Sequence, residues 1–360
     1  MTTTPSIQIS KQSASQLKPI PASEKLGFGN YFTDHLFTAK YNSEKGWSDA
    51  KIAPYGNISL DPAASVFHYG QALFEGMKVF RRKDGSIWCF RPEFNHQRFC
   101  DGATRLCLQP PPADLFHQGI RELVTVDSRW VPKEEDCSLY IRPTLIGTEA
   151  FLGVRPSKEQ LFFVILSPVG AYYAEGSAPV KIWVESKALR AAPGGLGAVK
   201  AGANYAASLQ AALDAKQKGY SQVLWLDVEK EGIEEVGTMN VFFVFKNEIV
   251  TPALNGSILP GGVRDSVLQL LKSWNKPVVE RRITIQEIAE RQQKQELLEA
   301  FGTGTAATIS RIGEFQWDQK TLRLDPKSNQ LSSEILATLT GIQRGSLPDP
   351  FEWMRPLERL

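Results

Sequence analysis

The sequence predicts a mixed α/β chain of two domains, and three observations carry that reading. At 360 residues it is long enough for two domains of ordinary size, each with its own core. Short apolar runs such as 161-LFFVIL-166, which suit buried strands, alternate with longer stretches of helical period. Around residues 168–180 the texture changes to SPVGAYYAEGSAP, a small-residue segment that suits a connection between domains.

In the amino-terminal part the strand signals are SIWCF, SLYIRP and QLFFVIL, with helical patterns around 92–106 and 113–126. After the connection VKIWVES reads as a strand, and a helix NYAASLQAALDAKQK follows, with Asn204 as its N-cap and Gly219 as its stop. Next come a strand QVLWLD, a turn at VEKEGIEE and a strand MNVFFVF. LPGGVRDSVLQLLKSW reads as a glycine turn opening a helix near Arg264, VVERRIT as a strand, and EAFGTGTAATISRIGEF as strand, tight turn and strand.

Charge is nearly balanced, 41 basic against 39 acidic residues, with no block of one sign, which argues against nucleic acid or an anionic membrane surface as partner. No apolar run approaches the ~20 residues of a spanning helix. Cys89, Cys100, Cys107 and Cys137 match neither a zinc nor a disulfide spacing and read as reduced thiols in a cytoplasmic setting. The four histidines, His35, His68, His96 and His117, form no metal-ligand motif, so no catalytic metal is expected. The first 24 residues, rich in Ser, Thr and Pro, are expected to form a disordered tail.

The chemistry concentrates in 194-GGLGAVKAGANYAAS-208. A phosphate-cradling loop of nucleotide hydrolases needs its lysine directly after the last glycine, and Lys200 follows Val199 instead. Taken alone, the glycines could simply permit positive-φ turns beside a solvated lysine. Other turns, however, carry what a phosphorylated aldehyde cofactor requires. Such a cofactor needs an amine for a Schiff base, a carboxylate to keep its pyridine nitrogen protonated, and a dianion site. Lys200 could supply the first and Glu235, in IEEVGTMN, the second. The glycine turns 260-PGGV-263 and 302-GTGTA-306 could supply amides to the third.

The segments FHYGQALFEGMKVF, FRPEFNHQRF, YIRPTLIGTEAFLGV, VKAGANYAAS, QVLWLD, IEEVGTMNVFFVF, LPGGVRDS and FGTGTAATIS together resemble, in order and spacing, the branched-chain amino-acid aminotransferases. These are class IV, fold type IV enzymes that use pyridoxal 5'-phosphate. The resemblance runs from about Phe28 to the carboxyl-terminal helix. It implies an α+β fold whose smaller amino-terminal domain (25–169) and larger carboxyl-terminal domain (181–360) enclose the cofactor at their interface, with 170–180 as a connecting loop that closes over substrate.

By the same resemblance, Lys200 forms the Schiff base and, once released, moves the proton from the substrate's Cα to the cofactor. A free lysine has a pKa of roughly 10.4, so the site must favour the neutral amine. Glu235 pairs with the pyridine nitrogen, Tyr205 with the phenolic oxygen, and Arg98 with the phosphate, joined there by Gly262, Val263 and Thr305. Tyr140 and the amides of Thr305 and Ala306 meet the substrate's α-carboxylate. Arg142, two residues from Tyr140 and so on the same strand face, answers the distal carboxylate of glutamate or 2-oxoglutarate. Phe28, Tyr31, Tyr69, Phe74 and Tyr173 wall an apolar pocket with Thr238 at its edge.

The implied reaction is reversible transamination of L-leucine, L-isoleucine or L-valine with 2-oxoglutarate, in a homodimer. Some members of the family carry a C-x-x-C after the GTA turn; here the turn continues TGTAATIS, so thiol regulation is not expected there. The rival within the fold is a D-amino-acid aminotransferase or an aminodeoxychorismate lyase, against which EVGTMN and YGQALFEGMK argue. A non-catalytic binding protein of the same fold is the rival of another class. Retention of Lys200, Glu235 and Arg98 argues against it.

Overall fold

The computed structural model describes residues 5–170, 178–317, 319–325, 328 and 330–360. The chain forms two compact units. The first is Met1–Ala174 with Val199–Gly202 and Gly341–Leu360; the second is Glu175–Ala198 with Ala203–Thr340. The connecting segment expected at 170–180 lies for the most part outside the described residues.

Each unit is built on one sheet, of nine strands among the described residues. In the first unit the order is Gln8–Ile9, Gly46–Pro54, His35–Asn42, Glu159–Val169, Ser138–Gly147, Met77–Arg81, Ile87–Phe90 and Met354–Pro356, with Ala72–Phe74 also on Ser138–Gly147. The central pair, Ser138–Gly147 and Glu159–Val169, runs antiparallel from Ser138↔Val169 to Gly147↔Gln160. Helix Ala113–Val126 buries Leu115, Phe116, Gly119, Ile120, Leu123 and Val124, the stripe that a 3.6-residue period predicts. Phe116 stacks on Phe162 at 5.8 Å and Phe37 meets Phe162 edge-on at 5.7 Å. Gly119 admits the Phe37 ring, because a Cβ there would lie 2.8 Å from it.

Both ends of the chain depart from expectation. Residues 5–24 are held along the first unit rather than forming a free tail. Gln8 and Ile9 pair in parallel with Lys51 and Ile52, the Gln12 amide donates to His35 Nε2 at 2.7 Å, and Lys18 Nζ donates to the Thr33 carbonyl at 2.8 Å. Composition cannot foresee this, because backbone pairing at a sheet edge needs no apolar side chains. At the other end Met354–Pro356 pairs with Trp88–Phe90, so residues 341–360 belong to the first unit and not to the carboxyl-terminal domain.

The second sheet runs Ile233–Val236, Gln222–Leu226, Val180–Glu185, Thr308–Trp317, Leu297–Gly304, Asn240–Phe245, Ile249–Thr251 and Val278–Glu280, with Lys320–Arg323 on Thr308–Trp317. Gln222–Leu226 and Thr308–Trp317 both lie parallel to Val180–Glu185, whereas the hairpin Leu297–Gly304/Thr308–Trp317 is antiparallel. Strand Ile233–Val236 is buried at every position and begins inside the expected turn, since pairing with Leu224–Leu226 outweighs the local turn signal of Glu234 and Glu235. The strand expected over 278–284 stops at Glu280. Helix Gly202–Gln217 starts before Asn204, which therefore lies within its first turn and is not its N-cap. No helix among the described residues is long and apolar enough to cross a membrane.

Candidate active site

In the first unit the predicted residues gather around one amine. Lys200 is anchored by its backbone: its carbonyl accepts from the Phe74 amide at 3.1 Å, and Ala201 bridges Leu73. Helix Pro92–Arg105 can lie close to both segments because it presents Gly102, whose Cβ would meet Leu73 Cδ1 at 2.7 Å and Val199 Cγ1 at 3.2 Å. The Lys200 ammonium stands 4.8 Å from the centre of the Phe74 ring.

The same helix carries Asn95 and Arg98, three residues apart and so on one face. Both reach Glu75. Arg98 donates through Nε to Oε1 at 2.6 Å and through Nη2 to Oε2 at 2.9 Å, and Asn95 Nδ2 donates to Oε2 at 2.8 Å. Arg98 and Glu75 are both buried, so the pair is a forked ion pair shielded from solvent. Burial pushes the Glu75 carboxyl up, but the charge and hydrogen bonds of Arg98, then the Lys200 charge and Asn95, hold it below the usual carboxylate range.

Burial also pushes the Lys200 amine down, to about 8. The Arg98 and Arg142 charges act in the same direction, and Tyr140 and Glu75 oppose them. Arg142 Nη2 donates to the Tyr140 hydroxyl at 3.0 Å, as their shared strand face predicts. The Arg142 guanidinium also lies 4.6 Å from the Phe74 ring centre, and Phe28 meets Tyr140 edge-on at 5.0 Å. Gly76 makes room for that tyrosine, since a Cβ there would fall 2.0 Å from its hydroxyl. Lys200, Phe74, Arg98, Tyr140, Arg142 and Phe28 thus form one cluster. Tyr31 instead lines a cleft of about 430 Å³ with Lys18, Tyr55 and Trp130, and Tyr69, exposed, donates its hydroxyl to the Leu152 carbonyl. Tyr173 lies outside the described residues.

In the second unit, side chains grip backbone. Glu235, buried on strand Ile233–Val236, accepts from the Leu259 amide at 2.7 Å and pairs with Arg190 Nη2 at 3.1 Å. That same Arg190 nitrogen donates to the carbonyls of Gly197, at 3.2 Å, and Ser257. Gly197 is a glycine because a Cβ would fall 2.1 Å from the Ser257 oxygen; of the four glycines in the lysine loop only Gly194 takes a positive φ, +79°. Close approach, more than left-handed backbone, sets the glycine content of that loop. Asn204 Nδ2 ties helix Gly202–Gln217 to the Leu196 carbonyl at 2.7 Å, and Tyr205 follows it, half-buried. Glu234 is buried as well and accepts from Asn255 at 3.1 Å and from the Ser257 hydroxyl.

Gly262 and Val263 open helix Gly262–Ser273, whose first-turn amides lie beyond the reach of the helix's own carbonyls. Thr305 and Ala306 occupy the turn after Leu297–Gly304, and Thr238 is exposed in the turn before Asn240. Glu75, Asn95, Arg190 and Asn240 were not singled out from the sequence. Glu75 lies within the FEGMK segment, and its signal is a carboxylate set directly between Phe74 and Gly76. Arg190 offers only a basic residue ahead of a glycine loop.

Residues 72–315 match the family model of amino-transferase class IV. Fold and family model together define the chain as a class IV aminotransferase. Branched-chain-amino-acid aminotransferase 2 of Bacillus subtilis (strain 168) is 49% identical over 338 residues, covering 93% of each chain. The chain belongs to the branched-chain-amino-acid aminotransferase family. Among solved structures, the branched-chain aminotransferase from Thermoproteus uzoniensis with norvaline superposes with a TM-score of 0.72 at 22% identity, over 90% of this chain and 99% of that one. The branched-chain amino acid aminotransferase from Thermobaculum terrenum in PLP-form superposes with a TM-score of 0.68 at 23% identity, over 90% and 98%. Both share its fold.

Proposed function

We propose that the chain catalyses reversible amino-group transfer between L-leucine, L-isoleucine or L-valine and 2-oxoglutarate, with pyridoxal 5'-phosphate as cofactor. The observation that carries this reading is the placement of the Lys200 amine, 4.8 Å from the Phe74 ring centre and within the field of the Arg98 and Arg142 guanidinium groups, where burial pushes it down to about 8. A neutral amine can attack a carbonyl; an ammonium cannot.

The donor set suits the cofactor. The first unit offers that amine and a buried guanidinium, and the second a buried carboxylate and the start of a twelve-residue helix. Lys200 would anchor the cofactor, Arg98, Gly262, Val263 and Thr305 would hold its phosphate, and Glu235 and Tyr205 would hold its ring nitrogen and phenolic oxygen. When bound, pyridoxal phosphate supplies an aldehyde for an amine to condense with and a protonated ring that draws electrons from Cα.

The remaining work falls to side chains. Lys200 Nζ, once released, takes the substrate's Cα proton and later returns one. Tyr140, with the turn at Thr305 and Ala306, orients the α-carboxylate. Arg142 answers the distal carboxylate of the five-carbon partner, and Phe28 and Phe74, the two predicted aromatics that lie against Tyr140, Arg142 and Lys200, favour an aliphatic side chain.

We further propose a homodimer working in the cytoplasm. Phe67, Leu152 and Val154 are 62%, 61% and 85% exposed on the first unit, with Tyr69 bonded to Leu152, a group of apolar side chains that suits burial against a second copy. Sedimentation of the holoenzyme should give a dimer mass, and a monomer at micromolar concentration would refute it.

The test of function is the visible absorption of the protein reconstituted with pyridoxal phosphate, before and after L-leucine, with D-alanine as control. A band that collapses only with L-leucine supports the assignment. A response to D-alanine alone would transfer the protein to the opposite enantiomer, and no band at all would remove the cofactor.

A further inference from the structure

Strand Asn240–Phe245 begins with a buried polar side chain that the scheme above does not use. Asn240 Nδ2 donates to the Leu259 carbonyl at 2.9 Å. The amide of the same residue, Leu259, donates to Glu235 Oε1 at 2.7 Å. Both polar groups of one backbone residue are therefore held by side chains, one from each flank of the 237–239 turn. Leu259 is followed by Pro260 and Gly261, and Gly261 is the N-cap of helix Gly262–Ser273.

Gly261 shows how closely the turn is fitted. Its backbone is ordinary, φ −73° and ψ 132°, a conformation open to any residue. A Cβ on it would nevertheless fall 2.0 Å from Asn240 Oδ1, while the next neighbour outside Asn240 is Arg264 Cβ at 3.4 Å. Glycine is required there by Asn240 and not by the turn.

We infer that Asn240 is a positioning residue: through Leu259 it locks the start of helix Gly262–Ser273 to the Glu235 carboxylate. This deepens the cofactor reading above and rests on it. Glu235 is assigned to the ring nitrogen and Gly262 and Val263 to the phosphate, two points on one rigid ligand whose separation is fixed. Clasping Leu259 from both sides fixes the matching separation in the protein before the ligand arrives, which lowers the cost of ordering on binding. Asn240 itself touches the Leu259 carbonyl and the Gly261 Cα region, so its effect is transmitted through the turn.

The experiment is a double-mutant cycle read by cofactor affinity. Apoproteins of wild type, Asn240→Ala, Gly261→Ala and the double variant are titrated with pyridoxal phosphate and the visible band is followed. Asn240→Ala should weaken binding about tenfold, the loss of one buried hydrogen bond. Gly261→Ala should weaken it by a similar factor, because its methyl displaces Asn240. The double variant should be no worse than Asn240→Ala within about twofold, since removing Asn240 also removes the clash. Asn240→Ser carries the same cycle should the alanine variant not fold.

Single variants that bind as tightly as wild type, or a double variant showing the product of the two losses, roughly a hundredfold, would overturn the role of Asn240 alone. A wild type that shows no band would overturn the cofactor reading and this inference with it.

Discussion

Around the predicted site residues the two units weight their polar contacts differently. In the first, side chains answer one another around the Lys200 amine: the Glu75 carboxylate pairs with the Arg98 guanidinium, and Arg142 donates to the Tyr140 hydroxyl. In the second, beside the Arg190–Glu235 pair, most of the bonds run from side chain to backbone: Glu235 and Asn240 on Leu259, Arg190 on Gly197 and Ser257, Asn204 on Leu196. The difference teaches a division of labour. Mutual charge pairs set protonation states, because opposite or like charges at short range shift them. Side chain to backbone bonds set where turns sit, because they replace the ladder partners that loops lack.

The comparison can be broken most forcefully at the amine. Lys200→Arg keeps a cation but cannot supply a neutral amine, and kcat/KM for L-leucine should fall by at least about 10³. A loss below tenfold in a steady-state assay would remove Lys200 from the centre.

Next is the charge pair. Glu75→Leu leaves the Arg98 guanidinium buried without its carboxylate, and urea unfolding of the apoprotein should show a loss of about 3–5 kcal/mol. The matching cut in the second unit, Asn204→Ala, removes a neutral bond to backbone and should cost about 1 kcal/mol in the same assay. Equal losses would erase the contrast between the units.

Arg142→Met sharpens the contrast within the first unit. Its loss should weaken kcat/KM for glutamate and 2-oxoglutarate roughly 10- to 100-fold and that for leucine no more than about threefold. Parallel losses for both substrates would end its part in dual recognition.

A further effect is one of pH. Burial pushes the Lys200 amine down to about 8 in the fold, from 10.5 for an ordinary lysine. Below pH 8 both folded and unfolded chains carry the proton. Between 8 and 10.5 the unfolded chain binds more protons than the folded one, so this group adds stability as pH rises through that window. Lys200→Met should therefore exceed the wild-type apoprotein in stability near pH 7, with the gap narrowing toward pH 10. A gap that stays constant would show that the amine is not shifted.

What was legible in the sequence was local. Strands such as QVLWLD and MNVFFVF and the helices at 92–105 and 113–126 follow from periodicity, and helix Gly262–Ser273 from its glycine opening. The sites named for Lys200, Arg98, Tyr140 and Arg142 depended on resemblance, and the fold then groups those four side chains in the first unit.

Tertiary structure alone decided the rest, for a physical reason: charge compensation and close approach depend on distance in space, which sequence spacing does not report. Glu75 and Arg98 lie 23 residues apart, and Arg190 and Glu235 lie 45 apart, so no periodicity links either pair. The pairing of Gln8–Ile9 and of Met354–Pro356 with strands far along the chain is equally silent in composition. The sequence by itself determined which elements form and which residue types the chemistry needs. Folding determined which carboxylate meets which guanidinium, and which glycines stand where a Cβ has no room.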